Sequence, residues 1–295
     1  MELNLRSKKE IQLDIDAVEA QMGSPDFWAE PSRAQEVIAQ LEGLKAELET
    51  GDRYGVGPAS VSIYAGAGGE DSEDFVRILS QMYQGFADKE GYKIDFLDEA
   101  SNDTNGYKRI AFKISGLGAY GKLKGEDGVH RLVRKSPFNA KSKRHTSFAL
   151  VDIDPEIKAQ EFSLDESELE ISYTKSGGAG GQNVNKRETA VRITHPKTGI
   201  SAHVSSERSQ HQNKELALEL IRAKLYKKHL GDEEKRLLGH TPEEQIRIEW
   251  GNQIRSYIFD PYQMIKDHRL GIDVHQIDKV LGGDLHYFYQ AIKQE

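Results

Sequence analysis

The chain has 295 residues, 37% hydrophobic and 30% charged, the composition of a soluble globular protein long enough for two or three units with separate cores. It holds no cysteine, which excludes disulfides, thiolate zinc sites and cysteine nucleophiles together. The net charge of −8 argues against a nucleic-acid coat protein, although Lys122, Lys124, Arg131, Arg134, Lys135, Lys141, Lys143 and Arg144 crowd one segment.

Residues 1–22 place Leu5, Ile11, Leu13, Ile15 and Val18 among charges at loosely helical spacing. Ser24-Pro25-Asp26 breaks that helix, and a second amphipathic one runs over 36–48, so a small helical hairpin is predicted. The opening residues alternate charges with single apolar side chains, unlike a signal peptide, and no apolar run approaches bilayer-crossing length. A cytoplasmic protein without membrane contact is expected. Residues 51–58, with three glycines and a proline, form a linker.

A strand follows at 61–64. Gly66-Ala67-Gly68-Gly69 then turns into a helix over 72–89 with Phe75, Ile78, Leu79, Met82 and Phe86 on one face. Backbone amides at such a helix start can meet a phosphate or a base edge, but Glu70, Asp71, Glu73 and Asp74 would repel the phosphate. Residues 92–97 and 107–115 read as a β-hairpin, and 119–123 as a short helix or turn.

Within 136–148 the residue types fit single-stranded RNA. Pro137 fixes the loop, Ser136 and Thr146 can each donate or accept a hydrogen bond, Phe138 and His145 offer flat faces, and Arg144 and its neighbours would hold phosphates. A turn with a core anchor fits these residues equally well.

A returning strand covers 149–157, another lies at 169–173, and strands at 190–195 and 200–204 precede a long helix that opens at 209–214. Between them lies Lys175-Ser176-Gly177-Gly178-Ala179-Gly180-Gly181-Gln182-Asn183-Val184-Asn185-Lys186. Its glycines permit positive φ and close backbone approach, at a large ordering cost. Gln182 offers a backbone N–H and a side-chain amide to a reacting group, but no acid, base or nucleophile with an obvious partner stands nearby. Such a loop can order a water and donate to a developing oxyanion when another molecule supplies the scaffold. The flanking Lys175, Lys186, Arg187 and Arg192 make that scaffold a polyanion, with RNA the obvious candidate. Beyond Trp250 a strand, a loop and a terminal helix are predicted to pack on an earlier unit.

Taken together, Gly178-Ala179-Gly180-Gly181-Gln182, the run from Gly128 to Phe138 with its Ser-Pro-Phe, Arg144-His145-Thr146-Ser147-Phe148 and the run from Trp250 to Tyr257 resemble the bacterial class I peptide-chain release factors. Ser-Pro-Phe is the mark of the type that reads UAA and UGA. The resemblance implies an α+β, multidomain chain. A shortened helical region occupies 1–52, a codon-recognition domain 53–165, a Gly-Gly-Gln domain 166–246, and a C-terminal region 247–295 packs back on the codon-recognition domain. It implies that Ser136, Pro137 and Phe138 meet the second and third codon positions. His145 would stack and Thr146 hydrogen-bond near the third base, with Arg144 beside them. Gly68, Gly69 and Asp71 would stand near the first, where Asp71 replaces an expected glutamate and would reach through water. Gly180, Gly181 and Gln182 would enter the peptidyl transferase centre, the Gln182 N–H stabilising the transition state as water attacks the peptidyl-tRNA ester. Gly177 stands where serine is usual.

The resemblance also implies the partners: ribosomal RNA of both subunits, the mRNA stop codon, peptidyl-tRNA, and a methyltransferase that modifies the Gln182 amide. The helical region is much shorter than usual, which weakens the expectation of cooperation with release factor 3. A monomer without metal or cofactor is expected, acting only inside the ribosome and not as a stand-alone enzyme. Two alternatives are codon-independent ribosome rescue and ribosome or mRNA binding without release. Rescue factors generally lack the 136–148 region and end in a basic tail, whereas this chain ends Lys293-Gln294-Glu295, and an intact Gln182 speaks against the second.

Overall fold

A computed structural model describes residues 8–23, 27, 31–50, 54–139, 143–157, 162, 164–175, 188–237 and 253–292. Helices α1 (Lys8–Met22) and α2 (Pro31–Thr50) form the predicted hairpin, closed over Ile11, Ile15, Val18, Ala34, Val37 and Leu44. The second helix starts earlier than its apolar spacing indicates because proline is accommodated at a first helical position.

The largest unit is an eight-stranded sheet. It contains β1 (Ala59–Ala65), β2 (Lys93–Ser101), β3 (Tyr107–Ser115), β4 (Gly128–Lys135) and β5 (Arg144–Pro155). Helix α3 (Glu70–Glu90) crosses one face and buries Phe75, Leu79, Met82 and Phe86, four of the five apolar side chains whose spacing predicted it. Gly91, in the left-handed conformation, ends it. The short α4 (Ala119–Leu123) leads into β4.

A second, smaller sheet is made of β6 (Glu170–Thr174), β7 (Ala190–His195) and β8 (Ile200–Val204), backed by α5 (Gln210–Leu237). Its separate core comprises Val191, Ile193, Ala202, Val204, Ala217, Leu220 and Ile221, against which Phe162 and Leu164 also pack. Thr174 pairs with Ala190, so residues 175–189 are the connection of an antiparallel hairpin, as expected for a loop slung between strands and backed by a helix.

The chain beyond 252 returns to the large sheet with more structure than one strand and one helix. Strands β9 (Gln253–Ile258), β10 (Met264–Asp267) and β11 (Ile272–Val274) extend it to the order β11-β10-β9-β4-β5-β1-β3-β2, and α6 (Ile277–Leu281) and α7 (His286–Ile292) cover its core. Four- and three-residue strands carry too little alternation to be read from sequence. Only the β4–β9 contact is parallel among the strand pairs of this sheet in the described residues. The fold is therefore the expected α+β multidomain one, with the C-terminal region packed on the sheet that carries the 136–148 segment.

The two units meet along polar groups. The Ser205 N–H donates to Leu97 O at 3.0 Å, and His203 and Ser205 each lie 2.8 Å from Asp98. Lys113 reaches Glu219 at 3.0 Å, and Lys224 and Lys227 of α5 reach Asp127, Asp152 and Asp154.

Candidate nucleic-acid interface

The site begins at the tight turn before α3. Gly66 donates to Phe148 O and Phe148 to Ala67 O, so β5 pins the turn on both sides. Gly68 has φ 139°, and a Cβ there would stand 2.7 Å from Ser147 Oγ, so only glycine passes this point without displacement. Gly69, at φ 59°, directs the chain into the helix. The first turn of α3 thereby faces the loop that joins β4 to β5.

Arg134 ties these parts together. Alternation along β4 sends it to the same side as Leu132, toward α3. There its guanidinium donates to Asp71 Oδ1 at 2.8 Å and lies 2.7 Å from Asp74 Oδ2, and it sits 5.9 Å from the centre of the Phe138 ring. His145 enters from β5 with Nδ1 3.2 Å from Asp71 Oδ2 and Nε2 3.0 Å from Asn139 Nδ2. An amide nitrogen can only donate, so Nε2 accepts and the Nδ1–H donates to the carboxylate. The ring is held by both edges, and its side chain is 38% exposed.

Ser136, Phe138, Asn139 and His145 join Gly68, Glu70 and Asp71 around an open cleft of about 320 Å³. Phe138 is 38% exposed and Pro137 is exposed. Ser136 lines the cleft but is only 4% exposed, and its Oγ accepts the Phe138 N–H at 3.2 Å, so the hydroxyl also shapes the turn. Asp71 differs more from expectation. Its carboxylate is 3% exposed and occupied by Arg134 and His145, so it positions these side chains instead of reaching outward through water. Arg144 and Thr146 are not in the cleft. As neighbours of His145 on an extended strand they project from the opposite face of β5.

Three contributors were missed in the sequence: Arg134, Asn139 and Glu70. Glu70 is exposed at the cleft rim, and Asn139 fixes the imidazole. Arg134 had a readable signal, since it alternates with the apolar Leu132 and so must find acids inside. Gly180, Gly181 and Gln182 lie outside the described residues, whereas Thr174 and Ala190, which anchor the loop, are described.

A cleft with two flat side-chain faces, hydroxyls, a rim carboxylate and charge-compensated walls can stack bases and bond to their edges. It presents no arrangement of nucleophile and base among the described residues.

Comparison with known proteins agrees. The PCRF domain matches residues 42–151 and the RF-1 domain residues 156–269. Peptide chain release factor 2 of Thermotoga maritima is 42% identical, with 87% of this chain and 71% of that protein covered. Peptide chain release factor 2 of Exiguobacterium sp. is 36% identical, with 98% and 92% covered. The solved structure of RF2 of Thermus thermophilus superimposes with a TM-score of 0.73 at 35% identity, covering 96% of this chain and 82% of that one. With both domains in order and relatives matched over most of their length, the chain belongs to the bacterial class I peptide chain release factors, of the release factor 2 type.

Proposed function

We infer that this protein reads UAA and UGA in the ribosomal A site and triggers hydrolysis of the peptidyl-tRNA ester. The observation that carries the reading is the convergence of Ser136, Phe138 and His145 at the start of α3, in a chain that also holds Gly-Gly-Gln on a separate unit. Residues 53–165 with 247–295 serve as the codon-recognition module, and 166–246 as the hydrolysis module.

In this scheme His145, held by Asp71 and Asn139, presents its ring for stacking, while Ser136 and the turn at Gly68 and Gly69 meet base edges. A base read by Thr146 must lie on the other side of β5 from one read at Ser136, because the two side chains belong to opposite faces of the sheet. Gln182 donates its backbone N–H to the oxygen that gains charge as water attacks the ester, and its side chain shapes the water pocket. Ribosomal RNA supplies the rest of the active site, so the protein is no stand-alone enzyme. Methylation of the Gln182 amide and a cytoplasmic location belong to the same scheme.

The deciding experiment measures peptide release from ribosomes programmed with UAA, UGA, UAG and a sense codon. Release on the first two alone is expected. Equal release on all four would replace codon reading with rescue.

A further inference from the structure

A cavity of about 250 Å³ lies between the two sheets, and its walls carry more donors than free acceptors. On the large-sheet side it is lined by Ser62. Val61 and Ile63 are buried on the α3 side of β1, so alternation turns Ser62 the other way, toward the small sheet. The residue is 1% exposed, and its buried Oγ has no hydrogen-bond partner among the described residues. Buried hydroxyls are rarely left so.

The opposite wall is made by β7 and β8. Val191, Ile193, Ala202 and Val204 pack with α5, which sends Arg192, Ser201 and His203 to the cavity side. Arg192 is the register partner of His203 and is exposed, so it stands where the cavity meets solvent. No described carboxylate forms an ion pair with it.

Arg109 supplies a third set of donors. Its Nε donates to Asp98, and its Nη2 lies 3.1 Å from His203 Nδ1. The same Nδ1 lies 2.8 Å from Asp98 Oδ1, and one nitrogen cannot serve both. A carboxylate only accepts and a guanidinium only donates, so the shorter, charge-assisted contact puts a proton on Nδ1 and leaves Arg109 Nη2 facing an N–H. Asp98 is fully taken up by Arg109, His203 and Ser205. The next carboxylate, Asp152, is opposite Ser62 on β5 and is held by Lys224 and Lys227. Unanswered donors thus come from both sheets, while the acids beside them are already paired.

We propose that this cavity is a binding site for inorganic phosphate, held by Arg109 and Ser62 from the large sheet and by Arg192 and Ser201 from the small one. Donors on facing walls call for an anion with acceptors in every direction, and a tetrahedral oxyanion has them where a planar carboxylate does not; the guanidinium fork matches phosphate geometry. The volume lies below the roughly 300–1,000 Å³ of sites for drug-sized ligands, which suits an ion and not a nucleotide. The bound ion joins the two units, since its donors belong to both. This site goes beyond the ribosomal reading and does not depend on it.

The test titrates inorganic phosphate into the full-length protein by isothermal calorimetry, at constant ionic strength in a chloride buffer without other oxyanions. One saturable site per chain is expected, with a melting temperature that rises with phosphate concentration. Arg192→Gln should weaken binding about tenfold or more, because it removes a charged donor. Ser62→Ala should weaken binding several-fold yet melt no lower than the parent without phosphate, since it deletes a hydroxyl that has no partner. A lower melting temperature there would give the hydroxyl a structural role and count against the site. Lys279→Gln, exposed on α6 at the α3 side of the large sheet, serves as the control and should bind like the parent. Heat that does not saturate, or equal affinity in the parent and both cavity variants, would overturn the proposal and leave the cavity to water.

Discussion

At the scale of single residues, Gly68 and Gln182 make opposite demands on the backbone. Gly68 is fixed by its φ of 139° and by the 2.7 Å separation between an added Cβ and Ser147 Oγ. Gly68→Ala must move a turn that β5 holds by two backbone hydrogen bonds. A loss of about 1–3 kcal/mol in urea unfolding is expected, with weaker ribosome binding, because the cleft wall moves with the turn. A variant that unfolds like the parent would mean the turn has slack. Gln182 acts through its amide. If the backbone N–H stabilises the transition state, Gln182→Ala keeps the donor and loses only side-chain order around the water. Gln182→Pro deletes the donor itself. The expected outcome in single-turnover release is a far larger loss for proline, about 10²–10³-fold, than for alanine, with ribosome binding retained in both. Equal rates would remove the N–H from the mechanism.

At the scale of elements, one buried side chain explains why the C-terminal strands belong to the large sheet. Arg255 of β9 is fully buried and donates to both Glu126 oxygens at 2.6 and 2.8 Å, and to Asp267 of β10 at 3.0 Å. The Phe288 ring of α7 lies 3.3 Å from its guanidinium carbon, and Tyr83 of α3 donates to Glu126. Arg255→Met would strand two carboxylates in the core, and a loss of about 3–5 kcal/mol by urea unfolding is expected. Nearby, His130 of β4 sits between Tyr257 and the Glu126 carbonyl. That carbonyl can only accept, so Nε2 carries the proton and Nδ1 accepts from the phenol. Burial first, then Arg255, pushes the His130 pKa down from 6.5 to about 4. With a depressed folded value, the stability is complete above pH 6.5 and is lost as pH falls toward 4. The difference amounts to at most about 3 kcal/mol. Urea midpoints between pH 7 and 4.5 should therefore fall in the parent and be flatter in His130→Gln. The sequence showed α3, the hairpin at 92–115 and the strands around the glycine loop because their periodicity is local. It did not show β10 and β11, whose docking depends on Arg255 finding Asp267 on one side and Glu126, 129 positions away, on the other. That Ser136, Phe138 and His145 belong near one another was legible by residue type, and they do line one cleft, but its inner tie through Arg134 to Asp71 and Asp74 was hidden, since acids at a helix start also read as partners of the helix dipole.

At the scale of the whole molecule, the β4–β5 connection and the β6–β7 connection that carries Gly-Gly-Gln belong to different sheets, so the joint between the two units sets how far apart they work. That joint is chiefly ionic. Lys227 lies 2.9 Å from Asp127 and 2.7 Å from Asp152, and donates to Ile153 O at 3.1 Å, while Lys224 lies 2.9 Å from Asp154. Three acids thus share two cations. Burial first, then the Asp152 charge, raises the Asp154 pKa to about 6, a sign that the acids are barely compensated. Lys227→Met leaves three carboxylates facing Lys224 alone, and their repulsion acts across the joint and not within either core. The expected outcome is a larger radius of gyration in small-angle scattering and faster trypsin cleavage between 158 and 163. The cores of the two units should be kept, because neither uses Lys227. Acid should partly reverse the effect, since protonation of Asp154 removes one of the stranded charges. If Lys227→Met keeps the parental radius and protease resistance, the strength of the joint lies in the apolar contact of Ile157 with Ala223 and Tyr226. Ile157→Ala would then be the substitution that parts the units.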